Sequence, residues 1–368
     1  MKFTCTQIAL VKAINTVSRA VSVRTTIPIL KGILMNVKDG RLTLSASDLD
    51  LSIETSIDVQ ASQEGSAVVS SKLFGDIIRK LPNSLVNISS GEGKINIQCI
   101  GSDFSIVALP SDEFPVIGSI ESKNFIELKK DDLSDIIKKT VFAASIDEKK
   151  GILTGCLMNF EPDSLEMVAL DGFRMAVSRK DAVTGISKKL IVPARILSEI
   201  TKIIADDEGS DTVSLVIEDK KIEILTEDTR VVARLLEGDF IKYNEIIPTS
   251  YKTRVITGRE DLLNSIERAS LLAKEGKNNL VKLTISKDSV DISSRSEEGN
   301  VNEHVGADVE GDDLVIGFNS KYLLDVLKAV EDDEVAFELG TSVSSCLIKP
   351  VEGKNYTYLV LPVRITVA

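Results

Sequence analysis

The stretch SSKLFGDIIRKL, Ser70 to Leu81, sets Leu73, Phe74, Ile77, Ile78 and Leu81 on one side at helical spacing and Lys72, Asp76 and Arg79 on the other. An amphipathic helix with charges turned outward is the ordinary surface design. Asp76, at i+4 from Lys72, would add a weak surface ion pair. By itself the basic pair means only a solvated face; its meaning comes from repetition.

The same pattern returns as PARILSEITKII at Pro193–Ile204 and as NSKYLLDVLKAV at Asn319–Val330, offsets of 123 and 126 residues (70 to 193, then 193 to 319). Lys72, Arg195 and Lys321 hold one equivalent position, Arg79, Lys202 and Lys328 a second, and Asp76, Glu199 and Asp325 a third. A second helical pattern opens each repeat: TQIALVKAINTVSRAV from Thr6, KKDDLSDIIKKTVFAA from Lys129 and GREDLLNSIERASLLA from Gly258. Between helices the period drops to two. RLTLSASDLDLSIET alternates apolar and polar, and TVSLVIEDKKIEILTEDTRVVARL predicts three short strands joined at EDKK and TEDT. The fold class is therefore α+β: three tandem repeats, each with two helices on one face of an antiparallel sheet of six to eight strands. Polar linkers at 117–124 and 247–254 set the domains at 1–120, 125–247 and 251–368.

Composition narrows the function. The 368 residues are 43% hydrophobic but only 4% aromatic, with no tryptophan, so Ile, Leu and Val must build the core. A formal net charge of −12 argues against a body that is basic throughout and grips nucleic acid, yet it leaves room for a local strip. Cys5, Cys99, Cys156 and Cys346 form no CxxC, and His304 is the single histidine, so neither a zinc ribbon nor histidine catalysis is expected. GEGK at 91–94 is too short for a phosphate-binding loop and reads as a hairpin turn. MKFTCTQIAL is too polar for a signal peptide and no apolar run approaches about 18 residues, so a cytoplasmic protein with no membrane contact is expected. No cofactor and no metal are expected. Six basic residues at equivalent sites of three repeats suit a long uniform polyanion read through its backbone, not its bases.

The opening MKFTCTQIALVKAINTVSRAVSVRTTIPILKGILMNVKDGRLTLSASDLDLSIE resembles bacterial DNA polymerase III beta subunits, the sliding clamps, and so do VALDGFRMAV, GFNSKYLLDVLKAV, TSVSSCLIKP and the C-terminal YLVLPVRI. The resemblance runs through the whole chain in order. It implies a non-catalytic processivity factor whose clamp domains close, as a head-to-tail homodimer, into a ring with helices lining a DNA-sized hole. The implied partners are double-stranded DNA without sequence preference, the DNA polymerase III catalytic subunit, a clamp loader, and other polymerases and repair proteins carrying clamp-binding motifs.

Residue by residue, the resemblance puts Arg24, Lys72, Arg79, Arg195, Lys202, Lys321 and Lys328 on the channel. It puts Leu153, Leu170, Gly172, Phe173, Arg174, Met175, Ile246, Val343, Ser345, Leu359, Val360 and Leu361 around a peptide pocket. Leucine and methionine suit such a pocket, since methionine adapts its shape to different partners. Burying two anchor side chains yields about 3–6 kcal/mol, so one peptide binds weakly and two pockets per ring act through avidity. Leu170 and Phe173 stand where the family often has Thr and His. GDFIKYNEIIP lacks the common proline after Phe240, placing Ile241 and Glu245 in an altered wall, and the chain continues past Arg364 as Ile365–Ala368. Phe104 and Ile106 on one strand face, with Leu271 and Leu272 on a helix of the third repeat, are the expected subunit contact, rimmed by Glu297, Glu298 and Glu303. Two rivals remain. A hydrolase would need perturbed acid or base groups in a pocket, and an interaction scaffold would be monomeric.

Overall fold

The computed structural model describes residues 1–22, 25–118 and 125–365. Two helices appear in each repeat, as the spacing predicts: α1 (Gln7–Ser18) and α2 (Ser71–Lys80), α3 (Lys130–Lys138) and α4 (Ala194–Asp206), α5 (Arg259–Ala273) and α6 (Ser320–Ala329). Local chemistry starts them. Thr6 caps α1 by accepting from Ala9 N–H, Ser70 caps α2 by accepting from Leu73 N–H, and Asn319 caps α6 by accepting from Lys321 N–H. α3 is shorter than its apolar run suggests. After Lys138 the Thr140 hydroxyl donates to Ile136 O at 2.7 Å, and a 3-10 turn follows at Val141–Ala143. On α2, Phe74 and Ile78 are fully buried, but Leu73 lies on the flank and is half exposed.

The repeat holds to the residue. Strands Gly32–Lys38, Arg41–Ser47, Leu51–Asp58 and Gly65–Ser70 return 123 positions later as Gly155–Glu161, Ser164–Leu170, Arg174–Asp181 and Lys188–Pro193. The EDKK and TEDT turns separate Thr212–Ile217, Lys221–Leu225 and Thr229–Arg234. GEGK is a hairpin turn, with Glu92 and Gly93 both in the left-handed region. The first repeat has nine strands, not six to eight, because the short Gln60–Gln63 pairs with Lys2–Thr6.

One expectation fails. The second repeat has no sheet of its own: its strands divide between two larger sheets. Chain contacts define two compact units, Met1–Lys130 with Glu199–Leu235, and Asp131–Ser198 with Leu236–Ala368. The first holds a 13-stranded sheet in which Thr229–Arg234 pairs antiparallel with Leu51–Asp58. The second holds a 12-stranded sheet in which Tyr356–Val360 pairs with Arg174–Asp181. The physical reason is the sheet edge. A single repeat would leave Leu51–Asp58 or Arg174–Asp181 with a row of unpaired backbone groups, and a strand from the next repeat satisfies them.

Besides the outermost strands, two inner strands among the described residues have a second partner over only part of their length. Ser102–Leu109 pairs with Lys94–Cys99 but meets Gly65–Ser70 only through Ala108 and Leu109. Gly299–Gly311 pairs with Ser289–Ser296 through residues 299–306 and reaches Thr253–Gly258 only from Ala307 onward. Residues 102–107 of the first strand and 299–306 of the second therefore keep one free backbone edge.

Candidate nucleic-acid interface and peptide groove

All six repeated cations on the described helices are exposed: Lys72, Arg79, Arg195, Lys202, Lys321 and Lys328. Arg24 lies outside the described residues. The cations are not equivalent electrically. Arg79 takes Asp76 at 2.9 Å, so the i+4 pairing expected of Lys72 with Asp76 gives way to an i+3 pair, and Arg79 also donates to Asn15 of α1 at 3.0 Å. Lys328 reaches Glu267 of α5, the repeat counterpart of Asn15, at 2.7 Å. Lys202 takes Glu199 on its own helix at 2.8 Å. The C-terminal member of each pair is thus neutralised within the chain, whereas Lys72 and Lys321 form no ion pair among the described residues.

The recurring acids have separate uses. Glu199 accepts from Arg19 at 3.1 Å as well as from Lys202. Burial alone would raise its carboxyl, but Lys202 and Arg19 together hold it below the ordinary range. Asp325 accepts from Arg174 at 2.5 Å.

Arg174 stands in a turn built by Asp171. That carboxylate accepts from Phe173 N–H at 2.8 Å and Arg174 N–H at 3.0 Å, and Gly172 takes φ +93°. The buried Arg174 side chain donates to Asp171 and Asp325, with its guanidinium 4.6 Å from the Tyr322 ring and 5.5 Å from Phe142. Phe173 is exposed and stacks on Tyr322, with Lys150 Nζ 5.3 Å from its own ring.

Beside this turn lies an apolar cluster that joins Leu170, Met175 and Leu359 with Leu157, Val168, Val177, Ile191, Tyr243 and Leu347, flanked by Leu153. Ile246, Val343 and Leu361 are exposed, and Ser345 is half-buried. Strand register separates the remaining expected wall residues. Met175 faces Leu359 across the ladder and Arg174 faces Val360, so alternation turns Arg174 and Val360 to the opposite face from the cluster. Val360 is fully buried there. Sequence reasoning missed Tyr243, which is buried and donates its hydroxyl to Glu166. Burial first, and that bond second, push its phenol well up. The same alternation, stepped by two from Leu170 and Met175, would have found Val168 and Val177. In the altered wall, Ile241 and Glu245 are both exposed, Glu245 lying 3.7 Å from Lys242.

At the expected subunit contact, Phe104 is 39% and Leu271 66% exposed, while Leu272 is half-buried. Ile106 is buried, opposite Ile95, and packs as core within the single chain. Val107, at 71%, is the exposed neighbour on that strand. Glu303 is held by Arg268, which pulls its carboxyl below the ordinary range. His304 is exposed beside Asp291. All four cysteines are buried, and desolvation pushes the Cys5 and Cys156 thiols up to about 12, so neither supplies a thiolate at neutral pH. No group of three or more His, Cys, Asp or Glu among the described residues could hold a metal ion, and no described helix is long and apolar enough to cross a membrane.

Residues 1–118, 127–242 and 244–364 match, in turn, the N-terminal, central and C-terminal domains of the DNA polymerase III beta subunit. The chain belongs to that family. It is 34% identical to the beta sliding clamp of Staphylococcus epidermidis over 99% of both chains, and 34% identical to that of Staphylococcus aureus over the same share. The crystal structure of the DNA polymerase sliding clamp from Bacillus subtilis superposes with a TM-score of 0.95 at 34% identity, covering 100% of both chains. The DNA polymerase III beta subunit from Thermotoga maritima gives 0.93 at 29% identity, over 99% of this chain and 100% of that one. The fold is that of three β-clamp domains, and the chain is a DNA sliding clamp, a replication subunit without catalytic chemistry of its own.

Proposed function

We propose that two copies of this chain close head to tail into a ring around duplex DNA, with the exposed basic positions of α2, α4 and α6 facing the phosphates. The observation that carries this reading is the threefold recurrence of those positions on a chain of net charge −12. Because Arg79, Lys202 and Lys328 already pair with acids of the chain, the phosphate contact is loose, and Lys72 and Lys321 bear most of it. The open edges at Ser102–Val107 and Gly299–Gly306 supply the ring closure. Apart from Gly306 O, which accepts from Thr257 Oγ1, each presents outward N–H and C=O groups that a strand of another copy can complete, with Phe104 and Leu271 as apolar flanks. Charged residues at both Phe104 and Leu272 should give a folded monomer by native mass, and a dimer of unchanged mass would remove them from the interface.

The Leu170–Met175–Leu359 cluster with its exposed rim at Ile246, Val343 and Leu361 is the tether for the polymerase catalytic subunit, the clamp loader and other enzymes that carry a short apolar motif. Met175→Ala with Leu361→Ala should remove roughly 2–5 kcal/mol of contact, enough to abolish calorimetric binding of a Gln- and Leu/Phe-bearing peptide while the dimer persists. Undiminished affinity would place the tether elsewhere. The cytoplasm, where replication proceeds in bacteria, is the proposed location.

A further inference from the structure

The repeat builds a second groove of the same backbone design, and we propose that it docks an acidic, extended peptide segment of a partner protein. A cavity of about 310 Å³ lies within the first unit, between the turn at Leu49–Asp50, the segment Pro115–Gly118 and the strands that carry Lys221 and Arg234. Its frame copies that of the apolar cluster bond for bond. Asp48 N–H donates to Leu51 O as Asp171 N–H donates to Arg174 O, and Arg234 N–H donates to Asp50 O as Leu361 N–H donates to Phe173 O. Val232 faces Ser52 across the ladder as Leu359 faces Met175. Under the connecting segment, Phe114 and Ile117 pack against Leu30 and Val68, as Phe240 and Tyr243 do against Leu153 and Ile191.

The side chains on this frame have changed character. Ser47 and Ser52 occupy the positions of Leu170 and Met175, and Arg234 occupies that of Leu361. Lys221 and Arg234 are both exposed and sit directly opposite one another on neighbouring strands. Like charges in that relation repel, and an anion between them removes the penalty. Among the other lining residues Lys220 is basic and Asp50 acidic, so the groove is net positive on an acidic chain. It is not only a charge site. Leu49 is 56% exposed at φ +79°, a left-handed backbone that a leucine adopts under strain, and Val116 is 94% exposed. Two exposed aliphatic side chains beside a cation pair fit a segment in which Asp or Glu flanks Leu or Val. The volume admits a few side chains and not a duplex.

The probe is a fluorescent hexapeptide, Asp-Glu-Leu-Asp-Leu-Glu, titrated into the full chain by anisotropy beside its Asn/Gln counterpart. The acidic peptide should bind at least tenfold tighter than the amide version. Lys221→Glu with Arg234→Glu should lose at least tenfold, as should the milder Lys221→Gln with Arg234→Gln, whose folding is checked by its thermal midpoint. Met175→Ala with Leu361→Ala should leave this affinity unchanged, so the result is independent of the apolar groove's occupant. Equal binding of the two peptides, full binding by the Gln variant, or loss in the Met175/Leu361 variant would each overturn the proposal. So would displacement of the peptide by a short DNA duplex with no such effect from an acidic competitor peptide.

Discussion

In the turn Asp48–Leu51 the aspartate accepts from Asp50 and Leu51 N–H at 3.1 and 2.7 Å, and in Asp171–Arg174 it accepts from Phe173 and Arg174 N–H at 2.8 and 3.0 Å. The residue after each aspartate is left-handed, Leu49 at φ +79° and Gly172 at φ +93°. Only the side chains differ. Where the first turn continues into Leu51, buried as plain core, the second continues into Arg174, held between two aromatic rings and two carboxylates. Backbone hydrogen bonds thus fix the geometry of the repeat, while a handful of substitutions decides what each copy does.

The two turns should differ most in their response at Arg174. Arg174→Ala leaves the buried Asp171 and the partly buried Asp325 without their cation, and should cost about 3 kcal/mol in urea unfolding. A loss below about 1 kcal/mol would mean that the strut is not what holds the turn. The left-handed position gives a smaller effect with opposite signs in the two turns. No neighbour lies within 4 Å of a Cβ built on Gly172, so Gly172→Ala should destabilise by about 1–2 kcal/mol through backbone alone, and Leu49→Gly should relieve a similar strain. Thermal melts of the two variants moving in the same direction would sink the equivalence.

Much of this architecture is legible in the sequence. Helical spacing locates α1 to α6, and the period-two runs with EDKK, TEDT and GEGK turns locate their strands, because burial on one face enforces both periods. The sharing of sheets is not legible. Thr229–Arg234 carries no local mark that it will pair with Leu51–Asp58 and not within its own repeat, since the choice depends on where the preceding strands leave an open edge. At the groove, Leu170, Met175 and Leu359 join one apolar cluster, but Arg174 and Val360 fall on the other face because neighbours in a strand alternate. Tyr243 escaped notice for a different reason: its partner Glu166 lies 77 residues away and only the folded sheet brings them together. The pairing of Asp76 with Arg79 shows the same limit on a small scale, where two basic neighbours compete for one carboxylate and Arg79, also reaching Asn15, takes it.

Retention on DNA distinguishes a closed ring from an ordinary groove binder. The chain should be loaded onto a closed circular duplex by its clamp loader and the bound fraction followed after the circle is cut. A ring held by topology stays on the closed circle through a rise in salt and is lost from the linear product. Free protein should bind linear duplex weakly and with steep salt sensitivity. Replacing Lys72 and Lys321 by Ala should weaken that direct contact more than replacing Arg79 and Lys328, which are already paired, yet either loaded variant should remain trapped on the circle. Tight binding to open-ended linear DNA, with no release when the circle is cut, would show that the basic helix faces grip DNA as an ordinary groove binder does, and the ring account would be wrong.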